Sequence, residues 1–487
     1  MKVKDILSRQ KNNNNVAICY GNQQISYAEL FSSSNTHHEK ITEIEHNRNV
    51  GIFFNNSIDY VIGYFSVALS DNVIIPLEDT LVDDSLKSIV TYCEISLIFT
   101  NTNNLERLVD CLMDYPYKVS IYNIDNFNVI CVGNGNYIEQ GEDDEEDVVI
   151  MLHTSGTTSD PKKVMLTNAN LIANIESNIA SIGITENDVS LIVLPMFFGY
   201  CNSSQFLSHL YLGARIVIYN STFIPKKFLK IIDEERCTNT TCVPSMLYLI
   251  IKSCKREDYD LSSLRYLCFG GGIMPVEMLH QIINFFNYTG VIQTYGQTEA
   301  SPRVTCLLPH EALRKIGSVG KTIPNVRLDI FNKNDVPVGQ GEIGEIVVQG
   351  PNVMKGYYKK PAITAMTIRN GWLHTGDLGR MDDEGFLYIV GRIKNVIISG
   401  GLNIYPEEIE EVLINYFPIK EAVVISEQHD ILGEVPIAKV VLKDGFSVLP
   451  QEIIQYCLTK LPSNKVPGKV FICDTLPRTY TGKIKRN

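Results

Sequence analysis

Residues 153–171 read HTSGTTSDPKKVMLTNANL and place Thr154, Ser155, Gly156, Thr157 and Thr158 directly after the apolar run Val148 to Leu152. Small residues let a backbone fold closely around an oxyanion, so that several N–H groups and four hydroxyls can point at phosphate oxygens. Lys162 adds a mobile positive charge. The G-x-x-x-x-G-K-[ST] spacing of a Walker A loop is missing. The segment is therefore either an ordinary Ser/Thr turn or a phosphate cradle of another kind, and its composition favours the cradle. Gly270, Gly271 and Gly272 follow a second apolar run. Three glycines in a row either bring the backbone close to something flat or form a plain turn, the latter as good a reading for Gly270 as the former. Residues 293–301, QTYGQTEAS, gather an aromatic ring, a glycine, a hydroxyl and a carboxylate within five positions.

The elements that must position these groups alternate in type. Val148 to Leu152, Leu191 to Leu194, Arg215 to Tyr219 and Leu264 to Cys268 read as buried strands, and Asn168 to Ser181 and Pro275 to Phe286 as helices. That alternation predicts an α/β fold with covered β-sheets. Gly141 to Asp147 (GEDDEED) reads as a solvated acidic linker. The texture changes near Gly391. Glu345 to Val348 and Phe386 to Val390 read as strands, and Pro406 to Tyr416 as a helix with Pro406 at its first position and Glu407 and Glu408 at the positive end of the dipole. Ile409, Val412, Leu413 and Tyr416 share one face of it. Strands at Glu421 to Ile425 and Ile437 to Leu442 and a helix near Gln451 to Lys460 complete a small α+β C-terminal domain. The expected division is a large domain over 1–391 and a small one over 392–487, the latter within the usual domain range.

The loop at Thr154 resembles the phosphate loop of the adenylate-forming superfamily: acyl-CoA synthetases, aryl-CoA ligases, luciferases and the adenylation domains of peptide synthetases. The family form is close to TSGTTGxPKGV; Ser159 and Lys163 stand here where glycine is usual. YGQTE matches the family's YGxTE motif. The resemblance implies a Tyr295 ring stacked on adenine, close backbone approach to the nucleotide at Gly296, Gly271 and Gly272, a Thr298 bond to the α-phosphate, and Glu299 as the Mg²⁺ ligand. WLHTGDL at 372–378 supplies the ribose-binding aspartate, Asp377, and GRIKNVIISGGLNIYPEEIE at 391–410 supplies Arg392 beside the ribose, Lys394 at the hinge and Gly401 in the loop lining the thiol's path. LPRTYTGKIKR at 476–486 matches the last motif, whose lysine is Lys483; Lys485 and Arg486 read as solvated charge. LPMFFGYCNSS at 194–204 matches the segment lining the acyl pocket, with Phe198 and Gly199 facing the acid and Gly270 opposite. Phe197 is as well explained by core packing. The segment lacks the aspartate that holds an amino acid's ammonium group, which argues for a fatty or aryl acid.

Composition sets outer limits. With 45% hydrophobic and 20% charged residues, the 487-residue chain can bury a large core. A net charge of −12 gives no basic stripe, so nucleic acid is not an expected partner. Met1 to Gln10 lacks the apolar centre of a secretory signal, and the most apolar stretch, Leu191 to Tyr200, is about half the length of a membrane span. The twelve cysteines form no C-x-x-C pair, which suits reduced thiols in the cytoplasm. The expected activity is ATP- and Mg²⁺-dependent formation of an acyl-adenylate, followed by acyl transfer to CoA. The alternatives are loading of a carrier protein's phosphopantetheine, and a non-catalytic nucleotide-binding relative.

Overall fold

A computed structural model describes residues 1–44, 46–138, 147–153, 162–272, 274–478 and 484–486. Thr154, Ser155, Gly156, Thr157, Thr158, Ser159, most of the acidic stretch, and Lys483 lie outside the described residues.

Alternation along the strands decides the layering. In Val73–Leu77, Val73, Ile75 and Leu77 pack with Leu86 and Val90 of the helix Asp83–Tyr92, while Ile74 joins a different core. In Tyr266–Phe269, Leu267 and Phe269 meet Leu229, Leu247 and Ile282 of three outer helices, while Tyr266 and Cys268 point the other way. The inward residues of both strands enter one shared core, together with Leu30, Phe65 and Ile175 of the helices Tyr27–Ile41, Ile58–Leu69 and Asn168–Ile182. A nine-stranded and an eight-stranded sheet thus lie on either side of a helical layer, and each carries further helices outside. Strands that run parallel within them are covered on both faces, as parallel pairing requires. Each buried Leu, Ile or Phe in these cores contributes roughly 1.5–3 kcal/mol.

Five antiparallel strands, Arg327–Phe331, Gly344–Gln349, Ile368–Arg369, Trp372–Met381 and Leu387–Arg392, form a smaller sheet. After it the chain makes the short 3₁₀ turn Ile393–Asn395 and enters a separate five-stranded sheet that begins at Ile397. Its core holds Ile397, Ile404, Ile409, Leu413, Val424, Val440 and Ile453. The helix Pro406–Ile414 keeps the proline and the acidic first turn, but stops two residues before Tyr416. Pro418 lies just beyond, and a proline disfavours helical backbone in the residue before it. Tyr416 instead stacks on Tyr456 of the helix Pro450–Lys460, with ring centroids 4.5 Å apart.

All twelve cysteines are free; Cys131 is exposed, Cys254 and Cys473 are half-buried and the rest are buried. Among the described residues no helix is long and apolar enough to cross a membrane. Ile409 is fully buried at the centre of the C-terminal core, so Ile409→Ala should cost about 2–5 kcal/mol of stability there. Hydrogen exchange should quicken in residues after Ile397 and stay unchanged in the two large sheets; uniform quickening would show that the C-terminal body does not melt on its own.

Candidate active site

Parallel strands end together, and ligands of open α/β sheets gather at their carboxyl ends. Tyr266–Phe269 runs parallel to Gly290–Gly296, with Phe269 opposite Gln293. Gly270 to Gly272 and the YGQTE segment therefore emerge side by side. From the other large sheet, Val148–His153 leads toward Lys162. The two sheets meet at Gly199: a Cβ there would lie 3.4 Å from Thr298 and 3.5 Å from Leu152. Asn56 fixes this junction, donating to Leu194 O at 2.9 Å and accepting from Met196 N at 2.8 Å. Phe197 packs against the main core, and its ring lies 4.7 Å from that of the half-buried Phe198.

Glu299 sits in the 3₁₀ turn Thr298–Ala300. Asn352 braces that turn, its side chain donating to Ala300 O at 2.8 Å, and Met354 N donates to Glu299 O at 2.9 Å. The carboxylate accepts from Tyr357 Oη at 2.8 Å, and the Lys162 ammonium lies 5.2 Å from the Tyr357 ring centroid. Lys162, Glu299, Tyr357, Thr375, Gly376 and Ile393 line an open cavity of about 470 Å³. The adjacent lysine points elsewhere. Lys163 faces His153 across an antiparallel ladder and is 1% exposed. Burial lowers its pKa, with Cys93 and Glu78 opposing. Its bulk thus enters the interior, where the family's glycine would leave space. Burial, then the Lys163 charge, pushes the His153 imidazole down to about 4, so that ring is neutral at pH 7.

Asp377 is 4% exposed and sits directly opposite Arg392 on the neighbouring strand. Its Oδ1 accepts from Arg392 Nε at 2.8 Å and its Oδ2 from Tyr295 Oη at 2.8 Å. Burial, then the Asp377 charge, holds the Tyr295 hydroxyl well above its usual range, so it remains a donor. The turn before Asp377 is tied by Glu345, which accepts from Gly376 N at 3.0 Å and meets His374 Nδ1 at 2.8 Å. Lys394 follows in the turn Ile393–Asn395; burial, then Arg392 and Lys162, lowers its pKa against the pull of Asp377.

Three glycines have reasons of their own. A Cβ at Gly270 would lie 2.6 Å from Thr294 O and 3.2 Å from the Tyr200 hydroxyl, and one at Gly296 would lie 1.7 Å from Pro302 O. Both close approaches are to the protein's own backbone or side chains. Gly271 and Gly272 are exposed, with open space or only Pro244 beside them. Gly401 is exposed at φ +80°, in the turn between Ile397–Ser399 and Leu402–Ile404. Any side chain there strains the turn, whatever path a thiol takes.

Arg486 is not solvated charge. It binds Glu407 and Glu410, the latter side chain only 6% exposed, whereas Lys485 is exposed as expected. Tyr357, Glu345, His374 and Asn56 had no signal in the sequence. Among the described residues no group of three His, Cys, Asp or Glu could hold a metal. Glu299, a single hard-oxygen donor at a cavity that Lys162 also lines, suits Mg²⁺, which takes one or two carboxylates plus phosphate oxygens.

Residues 7–358 match the AMP-binding enzyme family and residues 408–483 match the AMP-binding enzyme C-terminal domain. The chain is 37% identical over 341 residues to feruloyl-CoA synthase of Amycolatopsis sp, covering 70% of this chain and 68% of that one. It is 39% identical over 344 residues to 2-succinylbenzoate–CoA ligase of Bacillus cereus, covering 70% and 69%. Among solved structures it is similar to o-succinylbenzoate CoA synthetase from Bacillus subtilis in complex with its acyl-adenylate, with a TM-score of 0.85, 29% identity, and coverage of 100% of this chain and 97% of that one.

The Asp377 contacts lead to a direct test. Asp377→Ala removes an acceptor whose charge-assisted bonds are worth roughly 1.5–3 kcal/mol, and should raise the KM for ATP about tenfold or more. Tyr295→Phe removes one donor and should give a smaller rise. Steady-state kinetics with varied ATP measure both; unchanged constants in Asp377→Ala would place the ribose elsewhere.

Proposed function

This chain belongs to the AMP-binding enzyme family, and on that premise we propose that it is an ATP-dependent acid–thiol ligase acting on an aryl or fatty carboxylic acid, with CoA as the acceptor. The observation that carries the reading is the convergence of Lys162, Glu299 and the Asp377–Arg392 pair at the junction of the two large sheets and the turn that leads to the C-terminal sheet. The relatives named for feruloyl-CoA and 2-succinylbenzoate favour an aryl acid within that range. The segment around Phe198 and Gly199 supports this, since it offers no carboxylate to hold an amino acid's ammonium group.

The first step joins two anions. The substrate carboxylate attacks the α-phosphorus of ATP and pyrophosphate leaves in line. Positioning and charge neutralisation are then the protein's main tasks. Asp377 and Arg392 fix the ribose, the Tyr295 ring packs on adenine beside Gly271, Gly272 and Gly296, and Thr298 donates to the α-phosphate. Lys162 and residues 154–158 take the outer phosphates, and Lys483 bridges the attacking and departing oxygens. Glu299 would hold Mg²⁺, whose charge favours departure of pyrophosphate. In the second step the thiol attacks the mixed anhydride, the thioester forms and AMP leaves. The part of the chain after Lys394 turns about that residue between steps and brings the Gly401 turn toward the site, while the part that carries Asp377 and Arg392 stays fixed. Twelve free cysteines support a reducing, cytoplasmic setting.

Pyrophosphate release with ferulate, 2-succinylbenzoate, benzoate, octanoate, alanine and phenylalanine, with and without CoA, tests the assignment. An aryl or fatty acid should release pyrophosphate, and a thioester should appear only with CoA. Activation of an amino acid alone would overturn the substrate class, and pyrophosphate release without CoA thioester would favour a carrier protein. Silence with every acid would favour a nucleotide-binding relative. Lys483→Ala should slow acyl-AMP formation by about 10²–10³-fold, the usual loss for one preorganised donor. It should leave conversion of supplied acyl-AMP to thioester unchanged. Equal loss of both steps would remove the alternation of domains.

A further inference from the structure

The last described residues make contacts that the reaction as outlined does not use. Arg486 Nη1 donates to Glu410 Oε1 at 2.6 Å and to Val424 O at 2.9 Å, and Nη2 donates to Glu410 Oε2 at 2.8 Å and to Glu407 Oε1 at 3.0 Å. Glu410 Oε1 also accepts from Val424 N at 2.6 Å. One guanidinium thus joins the tail to two acids one turn apart on the helix Pro406–Ile414 and to the strand Ile419–His429. The Arg486 side chain is 23% exposed. Exposed pairs contribute little, but a buried set loses much more when one member is removed, because the others are left without a partner.

Glu407 faces the hinge as well as the tail. Asn395 Nδ2 donates to its Oε1 at 3.1 Å, and a Cβ on Gly391 would fall 2.5 Å from its Oε2. That Oε2 is buried and has no hydrogen-bond partner among the described residues. A rotation at Lys394 moves Gly391 against the helix and so changes the contacts of the same carboxylate that binds Arg486. The segment before Arg486 is also anchored. Ile484 pairs with Arg478, Lys485 N donates to Pro477 O at 2.7 Å, and Arg478 binds Glu421 at 2.7 Å. Ile484 packs on Val423, Val441 and Leu476. Arg478 and Ile484, the described residues on either side of the stretch that holds Lys483, are therefore fixed to the C-terminal sheet, and the clasp beyond them reaches the hinge.

We propose that Arg486 is a positioning residue for the adenylation step: by bridging Glu407 and Glu410 it registers the C-terminal tail, and with it Lys483, against the hinge in the orientation that forms acyl-AMP. This rests on the role given above to Lys483. Thioester formation, which follows rotation at the hinge, does not need that register.

The test measures the two half-reactions separately on Arg486→Ala, Arg486→Lys and Lys483→Ala, using the most active acid of the panel above and the acyl-AMP made from it. Arg486→Ala should lose acyl-AMP formation about ten- to a hundredfold, the range expected for charge-assisted bonds, and keep the rate of thioester formation from supplied acyl-AMP. Arg486→Lys keeps the charge but cannot bridge both acids, and should fall between wild type and alanine. Thermal unfolding serves as the folding control, and the lysine variant keeps the test open where alanine lowers stability. Wild-type adenylation in Arg486→Ala, or equal loss of both half-reactions while Lys483→Ala separates them, would overturn the positioning role alone. If Lys483→Ala fails to separate them, the reading of the tail lysine falls and the role of Arg486 falls with it.

Discussion

The arrangement depends on compensation of one buried carboxylate. Asp377 is nearly sealed from water, and a buried carboxylate keeps its charge only where opposite charge and hydrogen bonds offset its desolvation. The chain meets this demand from two directions. Tyr295 reaches it from the end of a strand in the nine-stranded sheet, and Arg392 from the strand beside it in the small sheet. The compensating arginine is also the last residue before the turn that carries Lys394. The groups proposed to prepare the ribose position and the proposed pivot of the C-terminal part are thus adjacent along the chain.

Several cations gather around that point although the chain carries −12 overall: Arg392, Lys162 and Arg486 each act on Lys394, against the pull of Asp377. Arg392 is paired with Asp377 and Arg486 with Glu407 and Glu410, whereas the negative charge of a bound polyanion would favour Lys162 and Lys394. Burial is the main cause of the lowered pKa of Lys394, and the neighbouring cations add to it. A nucleotide triphosphate would supply what the protein withholds.

Much of the framework could be read from local pattern. Pro406, Glu407 and Glu408 set the start of a helix whose apolar residues fall on one face, and the strand before Gly270 was evident from its continuous apolar run. What local pattern could not supply was direction and distance. Lys162 and Lys163 are neighbours of identical type, but Lys162 lies just before the strand Lys163–Thr167 and lines the cavity, while Lys163, the first residue of that strand, is buried in the interior. Gly270 and Gly296 signal close approach without saying to what, and the structure answers with Thr294 and Pro302. Arg486 looked like tail charge because its acids lie 76 and 79 residues earlier. Tyr357 lies 58 residues after the Glu299 it binds, which no spacing rule connects.

The buried thiols have a chemical consequence of their own. Cys201 follows Gly199 by two residues and Cys268 precedes Gly270 by two, so both flank the proposed acyl position. A thiolate is the reactive form of cysteine, and burial pushes both thiols above their ordinary range, as it does Cys242. An activated acyl group is a strong electrophile, and an ionised sulfur within reach would attack its carbonyl carbon and release AMP. Buried and protonated, these sulfurs would compete poorly with an incoming thiol for such a group.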